Sequence, residues 1–157
     1  MIKAIFCVAG CLVLATALTA RRAAGQMTGD GPQYTADGQL QFPKDYREWV
    51  FLSSGLGMTY GPAAAKDEPR FDNVFVNRSA YRSFLASGRW PDKTIFILEV
   101  RKSESKGSIN QGGHFQTSTA AIEVHVKDEK RFNGNWAFFG FGDGKQSGKQ
   151  IPASASC

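Results

Sequence analysis

"TIFILEVR", residues 94–101, decides how the rest of the chain is read. Ile95, Phe96, Ile97, Leu98 and Val100 are β-branched, aromatic or branched apolar residues with no polar stripe at helical spacing. Such a run reads as a strand, and apolar side chains on both of its faces place it inside a sheet. Outward from it, "AAIEVHV" (120–126) alternates: Ile122, Val124 and Val126 point one way, Glu123 and His125 the other. "FNGNW" (132–136) carries an Asn-Gly turn signal at Asn133–Gly134, and "WAFFGF" (136–141) reads as a last aromatic strand. Residues 102–113 read as a polar loop, and the tail from Gly142 is rich in Gly, Lys and Ser.

Upstream, "NVFVN" (73–77) is a short strand and "RSAYRSFLASG" (78–88) the best helix. Asn77 suits its N-cap, Ala80, Tyr81, Phe84 and Leu85 make one apolar stripe, and Gly88 suits its end. "FPKDYREWV" (42–50) has Pro43 placed for a first helical turn and Phe42, Tyr46 and Trp49 at helical spacing. "VFLSS" (50–54) either extends that segment or begins a strand, and a long loop follows to Pro69. The pattern predicts one α+β domain over residues 42–157, mainly an antiparallel β-sheet with one or two helices. Residues 26–41 read as a flexible leader.

Residues 1–25 have Lys3, then an apolar run from Ala4 to Ala20, then small residues, the pattern of a secretory signal peptide. The expectation is an exported, periplasmic protein. Removing that segment takes Lys3, Arg21 and Arg22 with it and lowers the formal charge from +5 to +2. The basicity therefore lies largely in the presequence, and no nucleic-acid partner is expected. Cys7 and Cys11 leave as well, so Cys157 is the one cysteine of the exported chain. An odd thiol in an oxidising compartment is expected to be attached to something.

Common ligand motifs are absent. "GLGMTYG" (55–61) lacks the glycine spacing of a dinucleotide fingerprint, and "GFGDGKQSGK" (140–149) lacks the first glycine and the Ser/Thr of a phosphate loop. His114 and His125 have no cysteine or carboxylate at zinc-ligand spacing. Glu123 stands apart because its strand fixes the face it points to. Either that face is solvated, or Glu123 is a carboxylate in an apolar pocket, placed to handle protons.

Four stretches together resemble the cytochrome P-460 family: residues 42–62, 71–101, 122–141 and "IPASASC", 151–157. The resemblance covers about residues 40–157 in order. It implies an exported c-type haem protein with a mostly antiparallel sheet. Members carry C-x-x-C-H near the C-terminus, where two thiols add to the haem vinyl groups and the histidine ligates iron. Cys157 falls on the first cysteine of that motif. On this resemblance the sequence stops one residue into its haem-attachment motif, and the ligand histidine is missing from it. A haem-free remnant is the remaining alternative. Members that oxidise hydroxylamine cross-link a lysine to the haem, and that position corresponds to Leu98. Relatives similar to cytochrome c′-beta lack the cross-link and bind nitric oxide beside distal aromatics. Leu98 moves the expectation toward nitric oxide or related small nitrogen ligands, with hydroxylamine or nitric oxide oxidation as the alternative. Glu123 corresponds to the pocket carboxylate that the enzymes use as a proton relay. Phe71 and Phe75 are candidate distal aromatics, although the arginine sometimes found around Phe71–Asp72 is missing. An unidentified periplasmic electron-transfer partner and a homodimer are further implications.

Overall fold

The computed structural model describes residues 29–59, 68–142 and 145–152. The signal-peptide segment and Cys157 lie outside the described residues. One sheet dominates. Its strands are β1 (Leu40–Gln41), β2 (Val50–Leu56), β3 (Phe71–Val76), β4 (Ile95–Glu104), β5 (Phe115–Lys127), β6 (Trp136–Phe141) and β7 (Ser147–Ile151). They lie in the order β1-β7-β6-β5-β4-β3-β2, and the described pairings are all antiparallel. Among the described residues a single α-helix, α1 (Arg78–Ser87), joins β3 to β4. This is the α+β architecture expected, with residues 94–101 in an interior strand.

The two faces of the sheet have different fates, set by the period of two along each strand. On one face Ile95, Ile97, Ile122, Val124, Val126, Ala137, Phe139 and Phe141 are buried. Leu40 and Tyr46 close over them, with Tyr34, Phe42 and Trp49 packed against the cluster. Each fully buried side chain of this kind contributes about 1.5–3 kcal/mol relative to exposure. The cover comes from the N-terminal segment. Residues 29–41, expected as a flexible leader, instead form β1 and an isolated bridge between Tyr34 and Leu40. Leu40 is 1% exposed, and burying it holds the segment down.

Other boundaries also differ from the sequence pattern. Phe42–Val50 yields only a 3-10 turn at Tyr46–Glu48, because Val50 already enters β2. β4 and β5 run further than expected, to Glu104 and from Phe115, so the polar loop shrinks to 105–114. The Gly/Lys/Ser-rich tail contains β7, which pairs with both β6 and β1.

Helix α1 ends at Gly88 as expected, in the left-handed conformation, with its N–H bonded to the Phe84 carbonyl at 2.7 Å. Its start differs. Asn77 occupies the N-cap but makes no side-chain cap bond. Its Oδ1 accepts from the Ile95 N–H at 2.9 Å, which ties the helix start to β4. Asp30 instead accepts from the Ser79 N–H at 2.8 Å.

Gly148 marks where β7 closes on β6. A Cβ there would lie 2.9 Å from the Gly140 carbonyl oxygen and 2.9 Å from the Phe141 ring. One obstacle is backbone and the other a core ring, so neither yields cheaply. Gly148→Ala is expected to destabilise the fold by about 1–3 kcal/mol, measured as a shift in denaturant midpoint at unchanged slope. An unchanged midpoint would show that β7 accommodates the methyl group.

Candidate functional site

The second face of the sheet carries the positions that alternate out of the core. Leu98 stands directly opposite Glu123, Val74 directly opposite Leu98, and Gly140 directly opposite Glu123. Directly opposed antiparallel residues share a face and have Cβ atoms about 4.5–5.5 Å apart. The next rank holds Asp72, Val100 and Ala121, with Gly55 opposite Asp72. Together with Ser53, Ser54, Met58 and Thr59, several of these residues line an open groove of about 530 Å³. A recess of about 90 Å³ continues it between Val74, Leu98, Glu123, His125, Phe96 and Phe138.

An aromatic wall bounds the groove at the α1 end. His125 stacks on Phe138, with centroids 3.9 Å apart and planes at 11°, and lies 4.5 Å from Trp136. Phe96 is 6.0 Å from Trp136 and 4.8 Å from Trp90, which stacks on Phe84 of α1 at 4.1 Å. Burial among these rings lowers the His125 pKa by disfavouring the charged imidazolium. Glu123 is exposed at the groove's side, while Leu98 is half-buried in its floor.

Asp72 is the residue that sequence reading passed over. It is half-buried, and burial raises its carboxyl above the usual aspartate value against the pull of the Arg70 guanidinium. The signal was available: "FDNVFV" alternates, so Asp72, Val74 and Val76 share the face of Leu98. The same alternation separates the two candidate aromatics from the groove. Phe75 stands opposite Ile97 and Phe71 opposite Arg101, on the core face. Phe75 packs there against Tyr46 and Phe51, with centroids 5.6 Å away in each case. The structure thus brings Leu98 and Glu123 together and does not bring Phe71 and Phe75 to them.

A flat apolar group fits this surface. The floor of Val74, Leu98 and Val100 is aliphatic, and Gly55 and Gly140 on either side of it contribute no side chain. At Gly140 a Cβ would stand on that face in ordinary contact with Ile151 at 3.6 Å, so the shallow profile there reflects the residue itself. Among the described residues, no group of three or more His, Cys, Asp or Glu is placed to hold a metal ion. A macrocycle bringing its own metal needs no such group.

No curated protein matches the chain. Residues 43–157 match the family model described as Cytochrome P460. That span includes every strand from β2 to β7 and both sides of the groove, and it implies a haem cofactor; the chain belongs to the cytochrome P460 family.

Proposed function

We propose that this chain is an exported haem c protein that takes nitric oxide or a related small nitrogen ligand beside the Leu98–Glu123 pair. The observation carrying this reading is the placement of Leu98 on an apolar strip directly opposite Glu123. Val74, Leu98 and Val100 would hold one face of the macrocycle by apolar contact, and the Phe96–His125–Phe138 wall would bound its edge. Bound haem supplies an iron centre for ligand binding and electron exchange. Leu98 excludes water from the floor and offers no amine for a cross-link. Glu123 carries a carboxylate on the open side, where a proton can pass between a ligand and solvent. Cys157 is the proposed thioether residue. Ile151, on the groove face, is followed by six residues ending at Cys157, a length of chain that reaches at most ~20 Å. Export rests on the apolar run of residues 4–20.

The pyridine haemochrome and ferrous absorption spectra of the protein isolated from a host with c-type maturation test this reading. The expected result is a haem held by the one thioether that Cys157 can form, distinct from the two-thioether haemochrome of a C-x-x-C-H protein, and without the red-shifted band of a lysine-cross-linked chromophore. Introducing the amine by Leu98→Lys is expected to produce that band. A red-shifted band in the unmodified protein would assign the cross-link to another lysine and overturn the role given to Leu98. Absence of haem would overturn the cofactor. Hydroxylamine oxidation is the second reading, favoured by the carboxylate of Glu123 in the groove. It requires turnover that Glu123→Ala removes while nitric oxide binding persists.

A further inference from the structure

Helix α1 turns an uncompensated basic stripe to solvent. Ala80 is buried on its inner side, with Tyr81 and Phe84 half-buried. On the outer side Arg78, Arg82 and Leu85 stand at i, i+4 and i+7, which puts them in one row along the helix. Arg89 follows just beyond the Gly88 cap, and all four side chains are exposed. Leu85, expected in the apolar stripe, is 67% exposed. Residues 73–91 hold these three arginines and no lysine, aspartate or glutamate, a local charge of +3. Among the described residues none of the three makes an ion pair. Arg78 donates from Nε to the Glu48 carbonyl at 2.6 Å, which fixes the side chain without cancelling its charge. Asp30 feels the charge of Arg82, but its carboxylate oxygens accept from the Ser79 N–H and hydroxyl. Lysines at the neighbouring strand ends are different: Lys93 pairs with Asp128, and Lys127 with Glu129.

We propose that the outer face of α1 docks on an anionic phospholipid surface. A guanidinium donates two parallel bonds to a phosphate, and a basic amphipathic helix suits the headgroup layer. The helix has ten residues and is about 15 Å long. Such a face is small for a stable protein interface, which covers ~800 Å² on each partner. A bilayer needs no matching contour, so each arginine adds its own attraction and Leu85 enters between headgroups. Tyr81 and Phe84 are directed at the sheet, so the attachment is mainly electrostatic, reversible and sensitive to salt. Phe84 stacks on Trp90, which meets Phe96 of the groove wall, so docking turns the α1 end of the groove toward the lipid. The docking needs no haem and does not depend on what the groove binds.

The test sediments the protein as isolated from the cell with vesicles of phosphatidylcholine, alone or mixed with phosphatidylglycerol. Every variant is compared in the same N-terminal form, because the apolar run of residues 4–20 would bind any bilayer. Saturable binding to the mixed vesicles is expected, falling steeply with added salt, with much weaker binding to phosphatidylcholine alone. Arg82→Gln and Arg89→Gln are each expected to weaken binding to the mixed vesicles about fivefold, the effect of one basic residue near an anionic surface. Both side chains are exposed, so the circular dichroism of the two variants should match that of the unmodified protein. Leu85→Trp places a reporter in the stripe, and its emission is expected to shift to the blue on mixed vesicles. Equal binding to neutral and mixed vesicles would overturn the proposal, as would unchanged binding in both glutamine variants. Binding to polyglutamate without binding to mixed vesicles would assign the face to an acidic protein and overturn the lipid. If a glutamine variant does not fold, the Leu85→Trp emission decides, and an unshifted band counts against the docking.

Discussion

Glu99→Ala is expected to lower the stability of the fold by about 3 kcal/mol, at the lower end of what removing one partner of a buried ion pair costs. Glu99 is 3% exposed on the core face of β4. Its Oε1 accepts from Tyr46 Oη at 2.7 Å, from Arg47 and from Arg101 Nη1 at 3.2 Å, and its Oε2 accepts from Asn73 Nδ2 at 3.2 Å. Those donors come from the 3-10 turn, from β3 and from β4 itself, so one carboxylate fastens the N-terminal cover to the sheet. Its removal leaves the buried Tyr46 hydroxyl without its acceptor and Asn73 with fewer partners. Arg47 is 59% exposed in its side chain and keeps its hydration, so Arg47→Ala is expected to cost no more than about 1 kcal/mol. Equal effects of the two substitutions would show that the cover is held by the arginine.

The same residue gives a pH dependence of definite sign. Burial pushes the Glu99 carboxyl up, but the hydrogen bonds from Tyr46, Arg47 and Asn73 outweigh it and hold the pKa below the ordinary 4.5. A depressed carboxylate binds fewer protons in the folded state. Its contribution is therefore complete above the unfolded value and is lost as pH falls through the folded one. Chemical denaturation from pH 7 downward should show stability declining below about pH 4.5, with a shallower decline in Glu99→Gln. Asp30 and Asp92 are also depressed, by bonds to Ser79 and to the Glu129 N–H, so some decline persists in that variant. Parallel curves for the two proteins would refute the role of Glu99.

The strands legible in the sequence were those with strong alternation or a continuous apolar run. Residues 94–101 and 120–126 are of this kind, and the groove pair Leu98 and Glu123 lies in them. Their direct pairing depends on register between separate strands, which periodicity within one strand does not reveal. β1 and β7 were not legible because they have little apolar patterning: β1 is only two residues long, and β7 is "SGKQI". Their existence depends on the cover that Leu40 makes and on the close approach at Gly148. Phe71 and Phe75, the candidate distal aromatics that the resemblance implies, lie on the other face of β3 from Leu98, and Phe75 stands opposite Ile97 of the core. Parity, applied to Asp72 and Val74, finds the groove residues of that strand.

Leu98→Asp is expected to weaken haem association by about 100-fold, the equivalent of about 2.8 kcal/mol. Leu98 sits between Val74 and Glu123 at the centre of the floor, so a macrocycle lying on that strip covers it. A carboxylate there must lose its water against an apolar face and has no cation lining the groove to compensate it among the described residues. Adding haemin to the full chain and following tryptophan emission measures the effect. Trp90 and Trp136 flank Phe96 at 4.8 and 6.0 Å on the groove face and act as quenching reporters. Phe71→Ser makes the complementary change on the opposite face and is expected to leave haemin affinity within about twofold, because its residue touches the core side of β3. The contrast between the two substitutions separates a face-specific site from general loss of structure. If Phe71→Ser weakens haemin as much as Leu98→Asp does, the haem lies elsewhere than on the Leu98 face. If Leu98→Asp binds haemin as the unmodified chain does, the floor of the groove does not contact it, and the alternation that assigned Leu98, Val74 and Val100 to one surface loses its functional meaning.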